Sequence, residues 1–265
     1  MQSTEDIMTK QTLEKYRLFE MTRPEVEQAI AAGVDTVVAT FGSTEQHGLH
    51  LPLGTDSLWG EFLGDRVARA LGDALVAPGV RLGCSEHHMA FAGSLTLREE
   101  TYAQLVADVC RSLAHHGFRH LVLIPTHGGN FAPLGRAVAA IEPQLSGVNL
   151  IAFTDLMAFM DEVFRVSAAH GVTPEQAGGH AGEHETSLML AVRPDLVAMA
   201  DAQPGYVGDQ LSVAPIVFQR GFRAVTENGV LGDPREASAT NGEAYLEAMT
   251  EMMVRFIRAA REEAV

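Results

Sequence analysis

Cysteine is nearly missing from this 265-residue sequence: Cys84 and Cys110 are the only two. Two thiols outside a CxxC pair exclude a disulfide framework, so the expected setting is reducing and cytoplasmic. Positive charge is scarce as well, with 19 Lys and Arg against 34 Asp and Glu and a formal net charge of −15. That balance argues against nucleic acid or an anionic membrane surface as the main partner and leaves a small molecule. No apolar run approaches the roughly 20 residues of a membrane span, and residues 1–16 are polar and unlike a signal peptide. Tryptophan occurs once, at Trp59, in a segment of helical apolar spacing where a core role outweighs substrate stacking. What is plentiful is apolar character, 46% of residues, enough for one sizeable core in one large α/β domain.

The pattern along the chain alternates. Residues 1–17 have little apolar periodicity and read as an N-terminal arm, open to disorder, ahead of a domain over 18–265. Thr22, Pro24 and Glu25 form a capped helix start, and the helix runs to about Ala32. Apolar, β-branched runs at 34–41, 75–80, 119–125 and 148–153 read as buried parallel strands. Between and after them lie helical patterns at 57–71, 98–117, 133–142 and 154–170, with a C-terminal helix at 242–261. The fold class expected is α/β: one doubly wound domain with a mostly parallel central sheet and helices on both faces. After Pro194 the chain reads as mostly irregular, with a hairpin or flap around residues 216–226 and a glycine-rich turn at 229–234.

Three polar clusters follow these elements. The first strand empties into Gly42-Ser43-Thr44-Glu45-Gln46-His47, where Glu45 and His47 leave one face of an extended chain. A Gly/Pro-punctuated loop then returns Asp56. The third strand empties into Thr126-His127-Gly128-Gly129-Asn130, on the same sheet edge. The third cluster is His180-Ala181-Gly182-Glu183-His184-Glu185-Thr186-Ser187; a helix starting near His180 would put His180, Glu183 and His184 on one face. Between them, Ser85-Glu86-His87-His88 reads as a second pocket wall. Carboxylates and imidazoles without thiolate suit Zn²⁺ or Mn²⁺ in an open, hydrolytic site. Such an ion would lower the pKa of a bound water toward neutrality and polarise a carbonyl.

These blocks, in order and spacing, resemble the signature blocks of the creatininase (creatinine amidohydrolase) family from about Phe19 to the C-terminal helix. The resemblance implies two divalent metal ions per chain, Zn²⁺ and/or Mn²⁺ with Fe²⁺ a further candidate, and cleavage of a C–N bond in a small amide. Glu45 and His47 would each bind one metal, Asp56 would bridge both, and His127 would complete the first. His180 matches the family's acid/base histidine. Where creatininase proper has a glutamate two positions after the block-two histidine, this chain has Gly129, and Glu183 is the expected substitute, as ligand or base. Ser85, His87, His88, Gly128 and Gly129 are expected to line the substrate pocket. The resemblance also implies a homo-oligomer, a hexamer favoured. Creatininase proper frames its substrate with tryptophans near block three, which this chain lacks, so a non-creatininase branch is expected. Alternative readings are a hydrolase of a C–C bond in a ring ketone, a peptidase of a modified peptide, and a non-catalytic metal protein.

Overall fold

Four short apolar runs form one parallel sheet in the computed structural model, which describes residues 15–263. The strands are β1 (Thr36–Phe41), β2 (Ala74–Val76), β3 (His120–Pro125) and β4 (Asn149–Ala152), in the order β2-β1-β3-β4. From β1 the chain steps outward to β2, then returns to β1's other side for β3. The crevice beyond the carboxyl ends of β1 and β3 is therefore the topological switch point, where open α/β sheets take their ligands.

Alternation along the strands builds two cores. Val38, Val76, Val122 and Ile151 face one side, while Val37, Leu75, Leu121 and Leu150 face the other, as a period of two requires. The second side is covered by α1 (Arg23–Ala31), α3 (Glu99–His115) and α4 (Phe131–Ile141). The first is covered by α2 (Thr55–Leu71), α5 (Leu156–Ala169), α7 (Glu183–Val192) and α9 (Ala239–Glu262). Two further helices, α6 (Pro174–Ala177) and α8 (Gln210–Arg220), stand at the sheet's carboxyl edge beside the cavity described below. The doubly wound arrangement read from the sequence is thus present. The capping box of Thr22 and Glu25 is formed, and Trp59, 1% exposed, lies in the core against Phe159. Among the described residues no helix is long and apolar enough to cross a membrane.

The expectations at three places need correction, and a fourth falls mostly outside the described residues. The arm expected over residues 1–17 lies outside the described residues up to position 14; Tyr16 and Arg17 instead pair with Val76 at the edge of β2. The strand expected over 75–80 stops at Val76, because Pro78 has no N–H for a ladder, although Val80 still bridges to Phe41. The hairpin or flap expected around 216–226 is α8 followed by a turn. Val213 and Val217, four apart, share its buried face, and Asp209 caps it; the apolar, β-branched run disguised this period. Finally, α7 begins at Glu183 and not near His180, which is held extended by a bridge to Leu231.

Two glycines one turn apart let α2 lie close on the sheet. A Cβ at Gly60 would stand 2.5 Å from Thr126 Oγ1, and one at Gly64 would stand 3.0 Å from Thr40 Cγ2. The Thr126 hydroxyl cannot simply turn away, since it donates to the Asp56 carbonyl at 2.8 Å. Overpacking of this kind costs about 1–3 kcal/mol, against a helix-propensity gain for alanine of up to about 1 kcal/mol. Gly60→Ala should therefore lower stability by about 1–2 kcal/mol. Thermal unfolding checks this; an unchanged midpoint would mean that α2 has room to move.

Candidate metal centre

The centre starts where β1 ends. Gly42 passes so close to α2 that a Cβ would meet the Ser57 backbone at 2.7 Å, and this approach carries residues 43–47 into the interior. Glu45 and His47 are both 0% exposed. Asp56, in the first turn of α2, and His127, just past β3, meet them there. His127 Nδ1 lies 3.1 Å from Glu45 Oε1 and 3.3 Å from Asp56 Oδ2. His47 Nε2 lies 3.1 Å from Asp56 Oδ1 and 3.6 Å from Glu185 Oε2. Asp56 thus turns one oxygen toward each of two imidazoles.

Main-chain carbonyls fix which nitrogen each histidine presents. His47 Nδ1 donates to the Glu45 carbonyl at 3.1 Å, His127 Nε2 to the Cys84 carbonyl at 3.2 Å, and His180 Nε2 to the Gln46 carbonyl at 2.7 Å. The other nitrogen of each ring faces the centre, as in metal sites where the outer N–H is held by a carbonyl. His88 is the opposite case. The Gln46 amide donates to its Nδ1 at 3.2 Å, which leaves the proton on Nε2, 3.1 Å from Glu45 Oε1 but without hydrogen-bond geometry. Gln46 therefore sets the tautomers of two histidines, one presenting a lone pair and the other an N–H.

The electrostatics suit cations. Burial opposes a charge on His127, yet Glu45 and Asp56 outweigh it and push the ring up to about 10. His47 is raised too: burial opposes its charge, but Asp56 and Glu185 prevail. Burial would raise the Glu185 carboxyl, but His47 beside it holds it at about 2. Burial, with His47 close by, lowers His180; burial and neighbouring histidines lower His87 to about 3 and hold His88 well below its ordinary value. Glu45 Oε1 and Asp56 Oδ2 are buried with no hydrogen-bond partner, a costly state that a cation relieves. Glu45, Asp56 and His127 form one three-donor group and His47, His180 and Glu185 another, with ligand atoms within 4.8 Å of one another in each. The donor set fits a divalent metal of the Zn²⁺ or Mn²⁺ kind.

Of the residues singled out in the sequence, Glu45, His47, Asp56, His127 and His180 converge here. Glu183 does not. Its carboxylate accepts from Ser187, Asn241 and Tyr245 at 2.7, 2.8 and 2.6 Å, joining α7 to α9. Glu185 stands at the centre instead, receiving the Ala181 amide at 2.6 Å; Ala181 is the one described non-glycine residue with positive φ, 50°. His184 turns away from the centre toward Trp59 and Tyr245. Ser85 is fully buried behind the ligands and off the cavity wall, linked to Ser43 at 2.5 Å and His127 at 3.3 Å. His87, His88, Gly128 and Gly129 do line the cavity of about 290 Å³ that opens onto the centre. A Cβ at Gly129 would stand 2.4 Å from the Cys84 carbonyl oxygen, so a glutamate does not fit there without moving that wall. Sequence reasoning missed Glu185, Gln46 and Ser43. Positions 183 and 185 differ by about 200° around a helix, so only one of the two can face the sheet edge.

The creatininase family model, described as creatinine amidohydrolase, matches residues 19–257. The mycofactocin precursor peptide peptidase of Mycolicibacterium smegmatis is 32% identical over 215 residues, 79% of each chain. The creatinine amidohydrolase of Pseudomonas putida is 31% identical over 252 residues, 90% of this chain and 95% of that one. A solved mutant creatininase of Zn-Zn type superimposes with a TM-score of 0.77 at 30% identity, covering 94% of this chain and 98% of that one. A family model spanning nearly the whole chain, with relatives above 30% identity over most of their length, shows that the chain belongs to the creatininase family.

Proposed function

We propose that this chain hydrolyses a C–N bond of an amide with the help of two divalent metal ions, Zn²⁺ and/or Mn²⁺. The observation that carries the reading is a pair of three-donor groups, Glu45-Asp56-His127 and His47-His180-Glu185, joined by the 3.1 Å approach of Asp56 Oδ1 to His47 Nε2, with Glu45 Oε1 and Asp56 Oδ2 buried without a hydrogen-bond partner. Glu45, Asp56 and His127 would hold one ion; Asp56, His47 and Glu185 would hold the other. Ions held there supply Lewis acidity to the amide carbonyl and acidify water. His180 presents its Nδ1 lone pair 3.9 Å from both Glu45 and Glu185, placed to take a proton from attacking water and pass it to the departing nitrogen, a step worth about 10²–10⁴-fold. Ser43 donates to Glu45 Oε2 at 3.1 Å and fixes that carboxylate, which leaves Oε1 for the ion. The same reading takes the chain as a cytoplasmic homo-oligomer acting on a small-molecule amide; it rests on family membership and on the acidic balance.

A second reading has one observation in its favour, because Ser85, His127 and Asp56 line up as a serine–histidine–aspartate relay at 3.3 Å and 3.3 Å. Burial decides against it: Ser85 is 0% exposed and no substrate carbonyl can reach its hydroxyl. Ser85→Ala should cost no more than about tenfold in kcat/KM, whereas loss of a true nucleophile costs of order 10⁶-fold. The functional reading itself is tested by incubating the metal-loaded protein with creatinine, N-formyl compounds, lactams and short peptides. Turnover of a non-creatinine amide is expected, with creatinine a poor substrate. Failure to cleave any amide would overturn the reading, and creatinine turnover above about 10⁴ M⁻¹s⁻¹ would move the chain to the creatininase branch.

A further inference from the structure

The cavity changes character with distance from the metal centre. Next to the ligands, Phe222 packs on His88 and His180, with ring centroids 4.2 and 4.7 Å apart. Farther out, α5 and α8 face each other across the opening with Met160, Phe164, Val217 and Phe218. Phe218 is 54% exposed and Leu211 is 59% exposed, a cost that apolar residues bear at the mouth of a binding pocket. The volume, about 290 Å³, is about that of ten waters in the liquid, far more than a reacting amide group fills.

The polar groups of the outer cavity share one sign. Glu175 and Asp209 stand on its rim, and among the described residues no Lys or Arg lines it. Gln210 donates its amide nitrogen to the Gly208 carbonyl at 3.1 Å, which turns its Oε1 away as an acceptor. That oxygen is buried, out of a ligand's reach, and has no hydrogen-bond partner, so the acceptors open to a ligand at the rim are the carboxylates of Glu175 and Asp209.

We infer that the substrate is an amide with a bulky apolar group and an outer N–H or ammonium, and without a carboxylate or phosphate. This rests on the hydrolase reading and narrows it. The apolar group lies between α5 and α8, and the donor meets the rim carboxylates of Glu175 and Asp209. An anionic end would face Glu175 and Asp209 with no cation to receive it.

The test uses the metal-loaded protein and three probes: N-formyl-phenylalaninamide, N-formyl-phenylalanine and N-formyl-glycinamide. Binding is read by saturation-transfer NMR titration and turnover by release of formate. The first probe should bind, and be cleaved with a kcat/KM, at least about tenfold better than the other two, the scale expected for burying a phenyl ring. Phe218→Ala should erase most of that advantage by raising the KM of N-formyl-phenylalaninamide far more than that of N-formyl-glycinamide. Glu175→Gln should narrow the preference for the carboxamide probe over the free acid about threefold or more. Equal or better handling of the free acid, no size preference, or no effect of either variant would overturn the inference even if amides are hydrolysed. Preferential binding without formate release would leave the inference standing and count against the hydrolase reading.

Discussion

Stripping the protein of metal with a chelator should abolish amide hydrolysis, and adding Zn²⁺ or Mn²⁺ should restore it. The reason is that, among the described residues, no serine, threonine, cysteine, tyrosine or lysine lines the cavity. Ser85 and Ser43 are buried behind Glu45. Cys84 is half-buried, and burial with Glu99 nearby pushes its thiol up to about 11, far from a reactive thiolate. Without metal, the centre offers only carboxylates and imidazoles that hold one another, so several kcal/mol of transition-state stabilisation disappear, about 10³-fold or more in rate. Activity followed against elemental analysis decides the matter. Full activity in protein shown to be metal-free would sink the mechanism.

The second large effect separates two glutamates two residues apart. Glu185→Gln should remove one of the carboxylates facing His47 and His180 and with it at least one metal per chain. Changes to the outer partners of metal ligands cost about 10–100-fold in affinity, so loss of a direct ligand should exceed about 100-fold. Glu183→Gln should do the reverse. Its carboxylate collects three donors between α7 and α9, and an amide there leaves at least one buried donor without its acceptor, about 1–3 kcal/mol. That variant should melt several degrees lower while keeping its metal. If Glu183→Gln loses metal and Glu185→Gln keeps it, the assignment drawn from the geometry is reversed.

Much of the site was legible because its residues follow strand ends directly. A buried parallel strand announces itself by a continuous apolar run, and the first polar residues after it must emerge at the carboxyl edge. Hence Glu45 and His47 after β1, and His127 after β3, could be placed from local pattern alone. The outer cavity could not. Its α8 wall carries Leu211, Ile216 and Phe218 partly exposed around a buried pair of valines, so hydrophobicity gave no clean period, and Pro215 within the helix resembled a break. Gln46 and Ser43 are polar residues in a loop; the role of Gln46 depends on histidines 42 and 134 residues away, and that of Ser43 on Ser85, 42 residues away.

By itself the sequence determined the parallel α/β frame, the sheet edge where the chemistry sits, and a thiolate-free donor set around Glu45, His47, Asp56 and His127. Only the tertiary structure decided between Glu183 and Glu185. The helix register there depends on His180 pairing with Leu231 and on Ala181 taking a left-handed turn, so α7 starts three residues later than the local pattern suggests. A shift of this size rotates every side chain of the helix by most of a turn. Its cause is a main-chain bridge spanning 51 positions, from His180 to Leu231, which no local periodicity records.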